Sequence, residues 1–123
     1  MLAAAQLVAF VATTNPQRAV AFYRDTLGLR LVSEDPFAVV FDANGTMLRI
    51  QIVREATVAG YTALGWRVPS IAASVNELSK AGVVFERYPG LPQDYLGIWT
   101  SPSGARVAWF KDPEGHTLSL TQF

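Results

Sequence analysis

The sequence predicts an α+β fold made of two tandem βαβββ modules, and three observations carry that reading. The chain ends in WFKDPEGHTLSLTQF, residues 109–123, where apolar positions alternate on both sides of a DPEG reversal. A similar hairpin, VVFDANGTMLRIQIV, occupies residues 39–53 around Asn44-Gly45, the dipeptide best suited to a tight turn with positive φ at both central residues. Aligning Gly45 with Gly115 sets Leu48 on Leu118, Arg49 on Ser119 and Ile50 on Leu120. Each hairpin is also preceded by a β-rich run and then a helix-start signal, Asn15-Pro16 in one half and Pro69-Ser70 in the other.

The elements follow in order. AQLVAFVAT, residues 5–13, reads as a buried strand. Asn15 is the expected N-cap, with Pro16 at the first helical position. Ala19, Val20, Phe22, Tyr23 and Leu27 follow at helical spacing, and Gly28 stands where a left-handed cap belongs. Strands are expected at about 29–34, 37–42 and 46–53. In the second half, residues 62–68 read as a strand. Ile71, Val75 and Leu78 form one apolar stripe of a helix that Lys80 and Gly82 end. VVFERY, residues 83–88, reads as the next strand, 98–110 as a hairpin, and the chain closes with a final strand. Between them PGLPQDYLG, residues 89–97, has no counterpart in the first half. Loops of that length are lids or binding loops in some domains and plain connectors in others.

Composition narrows the function classes. With 123 residues, half of them hydrophobic, the chain is expected to form one domain spanning 1–123, with modules at about 5–53 and 62–122. Ten basic residues balance ten acidic ones, so neither nucleic acid nor an anionic membrane is the expected partner. The chain has no cysteine and hence no thiol nucleophile, thiolate metal site or disulfide. MLAAAQLVAF is apolar but short and lacks a basic leader, so it reads as a first strand, and the default expectation is a soluble cytoplasmic protein. No nucleophile elbow or Gly-rich phosphate loop is present.

NPQRAVA and FYRDTLGL, residues 15–29, followed at the far end by DPEGHTLSL, resemble the vicinal oxygen chelate superfamily. That group takes in glyoxalase I, extradiol dioxygenases, methylmalonyl-CoA epimerase and bleomycin-resistance proteins. The resemblance covers nearly the whole chain. It implies a glyoxalase-like fold in which the two modules form a cup-shaped, curled mixed sheet around a ligand site, usually in a homodimer.

Alternation along the strands sorts side chains into two faces. Leu7, Ala9, Val11, Leu48, Ile50, Ile52, Leu64, Trp66, Val68, Leu118 and Leu120 form the apolar set expected beneath the helices. Gln6, Val8, Phe10, Met47, Arg49, Gln51, Ala63, Gly65, Arg67, Thr117, Ser119 and Thr121 form a mixed set. The hairpin pairing adds Val40 and Trp109 to it. In the resembled fold this mixed face is the concave one; without that topology it reads as a solvated face.

Metal-dependent relatives hold their ion with one residue from the first and last strand of each module, and those positions fall here on Gln6, Arg49, Ala63 and Ser119. A catalytic divalent site asks for His, Asp or Glu, and Arg49 is a fixed cation. No metal or other cofactor is therefore expected. His116, the only histidine, reads as a surface turn residue. Arg49 and Arg67 carry the planar fork that grips carboxylate or phosphate; otherwise they pair with an acid such as Asp42, Glu86 or Asp94. Trp99, Trp109, Tyr95 and Phe10 are candidate aromatic walls. Glu86, Asp94 and Tyr95 are the available general acids or bases.

The expected ligand-binding set is thus Gln6, Arg49, Arg67, Trp99, Trp109 and Ser119. The leading expectation is a metal-free protein that binds or sequesters a small organic ligand, anionic or aromatic. The alternative is a lyase, isomerase or dioxygenase-like enzyme using a divalent metal. A third is a dimer whose cavity is filled by its own side chains.

Overall fold

The computed structural model describes all 123 residues, which fold as two compact units, Met1–Val58 and Ala59–Phe123. Each unit carries one four-stranded mixed sheet of the same topology. In the first, β1 (Val8–Thr13), β2 (Arg30–Glu34), β3 (Ala38–Ala43) and β4 (Thr46–Ile52) lie in the order β1-β4-β3-β2. In the second, β5 (Thr62–Arg67), β6 (Trp99–Thr100), β7 (Arg106–Lys111) and β8 (Thr117–Gln122) lie in the order β5-β8-β7-β6. In both, the first strand runs parallel to the last and the remaining pairs are antiparallel. The predicted α+β fold with two βαβββ units is what forms.

Local chemistry explains the elements of the first unit. Helix α1 (Pro16–Val20) begins at Asn15, whose side chain accepts from Arg18 N–H at 3.1 Å, and Pro16 follows at a position that needs no donor. It runs on as a π-helical turn, Ala21–Thr26, and stops at Gly28, whose φ of 76° few side chains adopt. The Asn44-Gly45 turn takes positive φ at both residues, 52° and 93°, as a tight primed turn demands. The core joins Ala19, Val20 and Tyr23 to Val11, Val39, Phe41, Leu48 and Ile50, with Tyr23 and Phe41 rings 5.9 Å apart.

In the second unit, helix α2 (Ile71–Lys80) is capped by the Ser70 hydroxyl and buries Ile71 and Val75. It packs on β7 and β8, whose Ala108, Phe110, Leu118 and Leu120 complete the core. No helix is long and apolar enough to cross a membrane.

Three expectations need correction. The first strand is shorter than predicted and half-open: Gln6 and Leu7 precede it, Leu7 is 76% exposed and Phe10 53%. Residues 83–88 run extended beside β7 but form no strand, sharing only the bond from Glu86 N–H to Trp109 O. The reason is Gln93. Its amide donates to Glu86 O and accepts from Tyr88 N–H, occupying groups that a ladder would use. The second strand of the second unit is instead the two-residue β6. Finally, His116 is not at the surface but 6% exposed. Asp112 Oδ1 accepts from both Glu114 and His116 N–H and draws the DPEG turn inward around them.

Candidate ligand-binding site

Register fixes which side chains share a face. In the second unit β7 and β8 pair Trp109 with Ser119, Val107 with Thr121 and Lys111 with Thr117. Across β8, Gly65 faces Ser119 and Arg67 faces Thr121, while Trp99 pairs with Val107 at the other edge. Antiparallel partners point to the same side, so Trp99, Trp109, Thr117 and Ser119 lie on the face opposite α2. An irregularity between Thr62 and Leu64 makes Ala63 the extra residue in β5.

On that face the rings gather. Trp99 and Trp109 stand 6.0 Å apart at a 33° tilt, and Tyr88 meets Trp109 edge-on at 5.5 Å. Such arrangements suit the ring quadrupoles and hold the group as one wall. A pocket of about 370 Å³ opens beside it, lined by Trp99, Trp109, Tyr88, Leu91, Thr117, Tyr61 and their neighbours Gly60 and Thr62. The volume falls in the range of roughly 300–1,000 Å³ typical of small-molecule sites. Tyr61 is 75% exposed and makes no ring contact with the others, so it forms the outer rim.

The floor is polar. Thr117 and Ser119 are 9% and 7% exposed, yet neither hydroxyl makes a hydrogen bond, and neither is sealed away. Room above Ser119 comes from Gly65, where a Cβ would stand 2.8 Å from Ser119 Oγ. Partial burial, with the nearby Glu86 carboxylate, pushes the Tyr88 phenol above its usual range.

The 89–97 segment forms one wall of this pocket through Leu91 and is tied down along its length. Asp94 Oδ1 accepts from Leu96 and Ile98 N–H, both at 2.9 Å. Arg87 donates to the carbonyls of Asp94 and Tyr95, and Gln93 Nε2 reaches Gly97 O at 2.9 Å. This is a braced loop rather than an unattached lid.

The first unit has a pocket in the corresponding place on its own sheet, about 220 Å³, lined by Gln6, Val8, Val32, Val40 and Met47 with Arg30 and Asp42 at its edge. It is aliphatic where the other is aromatic. Arg49 lies on this sheet's open face, half-buried, opposite Phe10 on β1 and Val40 on β3.

The acids named as possible partners for the two arginines are taken elsewhere. Asp42 pairs with Arg30 at 3.7 Å, Glu86 with Lys111 at 3.8 Å and Asp94 with Arg106 at 3.9 Å. Arg49 makes no ion pair. Arg67 sits over the Phe123 ring at 5.3 Å. Of the six predicted site residues, the structure brings Trp99, Trp109 and Ser119 onto one face. Gln6 and Arg49 lie in the first unit, and Arg67 stands away from the aromatic pocket, which it does not line. Tyr61, Tyr88 and Leu91 were missed, although Thr117 already stood in the mixed set. Tyr95, another candidate aromatic wall, is solvent-exposed and does not line the pocket.

No group of three His, Asp or Glu residues is placed to hold a metal ion. Gln6, Arg49, Ala63 and Ser119 include no carboxylate and no imidazole, so the positions used by metal-dependent relatives do not fit a divalent ion.

A strand-helix-hairpin unit used twice, each with its first strand parallel to its last, defines a paired-module protein with pockets on the sheet faces. The sequence matches the Glyoxalase/Bleomycin resistance protein/Dioxygenase superfamily over residues 5–120, and the chain belongs to it. Solved structures of similar fold include a member of that superfamily from Sphaerobacter thermophilus, 22% identical, TM-score 0.74, covering 100% of both chains. TioX from Micromonospora is 22% identical with TM-score 0.71, over 96% of this chain and 98% of that one. Lactoylglutathione lyase from Agrobacterium tumefaciens is 18% identical with TM-score 0.71, over 97% and 93%. No curated protein matches the sequence.

Proposed function

We propose that this protein binds and sequesters a small organic ligand with an aromatic body in the pocket of its second unit, without a resident metal. The observation that carries the reading is the wall formed by Trp99, Trp109 and Tyr88 over a space of about 370 Å³. Flat, rigid side chains with little entropy to lose are the usual source of affinity for such ligands. Binding is favoured over catalysis because the lining holds no carboxylate, imidazole, thiol or amine to act as general acid or base. Partial burial pushes the Tyr88 phenol above its ordinary range, away from that role.

The metal-assisted lyase, isomerase or dioxygenase alternative asks for His and carboxylate donors that neither unit gathers. A cytoplasmic homodimer goes with the same reading. Its support is the family and the exposed apolar side chains of Val8, Phe10 and Met47 on the open face of the first sheet.

Calorimetric titration with a bicyclic aromatic probe, 1-naphthylmethanol, tests the site. Trp99→Ala and Trp109→Ala are each expected to weaken binding about tenfold or more, equivalent to roughly 1.4 kcal/mol, and Trp66→Phe to leave it unchanged. Equal affinity in Trp109→Ala would overturn the assignment.

A further inference from the structure

The Thr117 hydroxyl in the pocket and the charge of its walls say more about the ligand. Resting on the aromatic-site reading above, we propose that the preferred ligand is a protonated amine on an aromatic body. Its ammonium lies against the ring faces and donates to the Thr117 hydroxyl.

Three observations support this. Four of the eight lining residues, Tyr61, Tyr88, Trp99 and Trp109, are aromatic, and none is basic or acidic. Ring faces carry negative quadrupole density, so they attract a cation and repel an anion. A carboxylate would find no guanidinium or ammonium among the lining residues. Second, Thr117 lines the pocket with more than nine-tenths of its surface buried and its hydroxyl unpartnered. That hydroxyl is open to the pocket, where it can accept from an N–H donor. Third, Lys111, on the same face, is offset by Glu86, 3.8 Å away. That pair leaves the rings to set the preference. Within the pair, Lys111 is the cation opposing the ligand and Glu86 the anion favouring it.

Three matched probes test the proposal by calorimetry on the full chain at pH 7: 1-naphthylmethylamine, 1-naphthylmethanol and 1-naphthylacetate. The amine is expected to bind at least tenfold tighter than the carboxylate, with the alcohol between them. Lys111→Ala is expected to raise amine affinity severalfold. Thr117→Val keeps the side-chain shape but removes the hydroxyl. It is expected to weaken the amine about fivefold and to leave the N,N,N-trimethyl analogue, which has no N–H to donate, unchanged. Tightest binding of the carboxylate, or equal binding of all three, overturns the charge preference while keeping the aromatic site. Failure of all three probes to bind overturns the site itself.

Discussion

Gly65→Ala is predicted to change sign with the residue at position 119. In an ordinary strand, alanine in place of glycine gains about 0.5–1 kcal/mol, because glycine has more backbone freedom to lose on folding. Gly65 is an exception for a steric reason: its new Cβ would stand 2.8 Å from Ser119 Oγ, closer than such atoms approach. Ser119 is nearly buried and has Trp109 opposite it in register, so its hydroxyl has little room to swing away. Overpacking of this kind costs about 1–3 kcal/mol. The net expectation is a loss of about 0.5–2 kcal/mol in the natural background.

With Ser119→Ala the obstructing oxygen is gone. Because that hydroxyl makes no hydrogen bond, removing it sacrifices little. Gly65→Ala should then stabilise by about 0.5–1 kcal/mol. Urea denaturation followed by tryptophan fluorescence, with unchanged m-values across the four proteins, reads the cycle. An effect of the same sign and size in both backgrounds would refute the close approach of Gly65 to Ser119.

Other expectations follow from single contacts. Asp94→Ala strands the Leu96 and Ile98 N–H groups. It should destabilise by about 1–3 kcal/mol and speed amide exchange at those two residues above the rest of the second unit. Asn15→Ala removes the cap on α1 and should cost about 1 kcal/mol in denaturant titration. Asp35 Oδ1 accepts from Phe37 and Ala38 N–H, and these bonds hold its carboxyl below its usual range. A lowered folded pKa means the stabilisation is present above the unfolded value of 3.8 and is lost as pH falls through the folded one. Asp35→Asn should therefore lower stability near pH 7, change little in strong acid, and so flatten the acid limb of the stability profile.

Much of the fold was legible because its signals are local. Asn15-Pro16, Asn44-Gly45 and the alternation along β4 and β8 each settle a cap, a turn or a register without reference to distant residues. Residues 83–88 misled for the opposite reason. Their composition is that of a strand, but Gln93, several residues away, takes the backbone groups of Glu86 and Tyr88. His116 reads as exposed because turns usually are, whereas its backbone N–H is held by the buried carboxylate of Asp112.

The site divides in the same way. Strand alternation placed Trp109 and Ser119 together because both lie on regular, paired strands. Tyr61, Tyr88 and Leu91 stand on irregular segments, where period-2 reasoning has no purchase. Arg49 and Arg67 drew attention for their charge, yet the pocket that forms is aromatic and lined by neither.

The most direct test of aromatic binding is an indole N–H correlation spectrum during titration with 1-naphthylmethylamine. The chain has three tryptophans. Trp66 pairs with Leu120 on the other face of the sheet and does not line the pocket. Binding in the aromatic pocket predicts saturable shifts of the Trp99 and Trp109 signals with Trp66 unmoved. Movement of Trp66 alone, or of none of the three at millimolar probe, would contradict it.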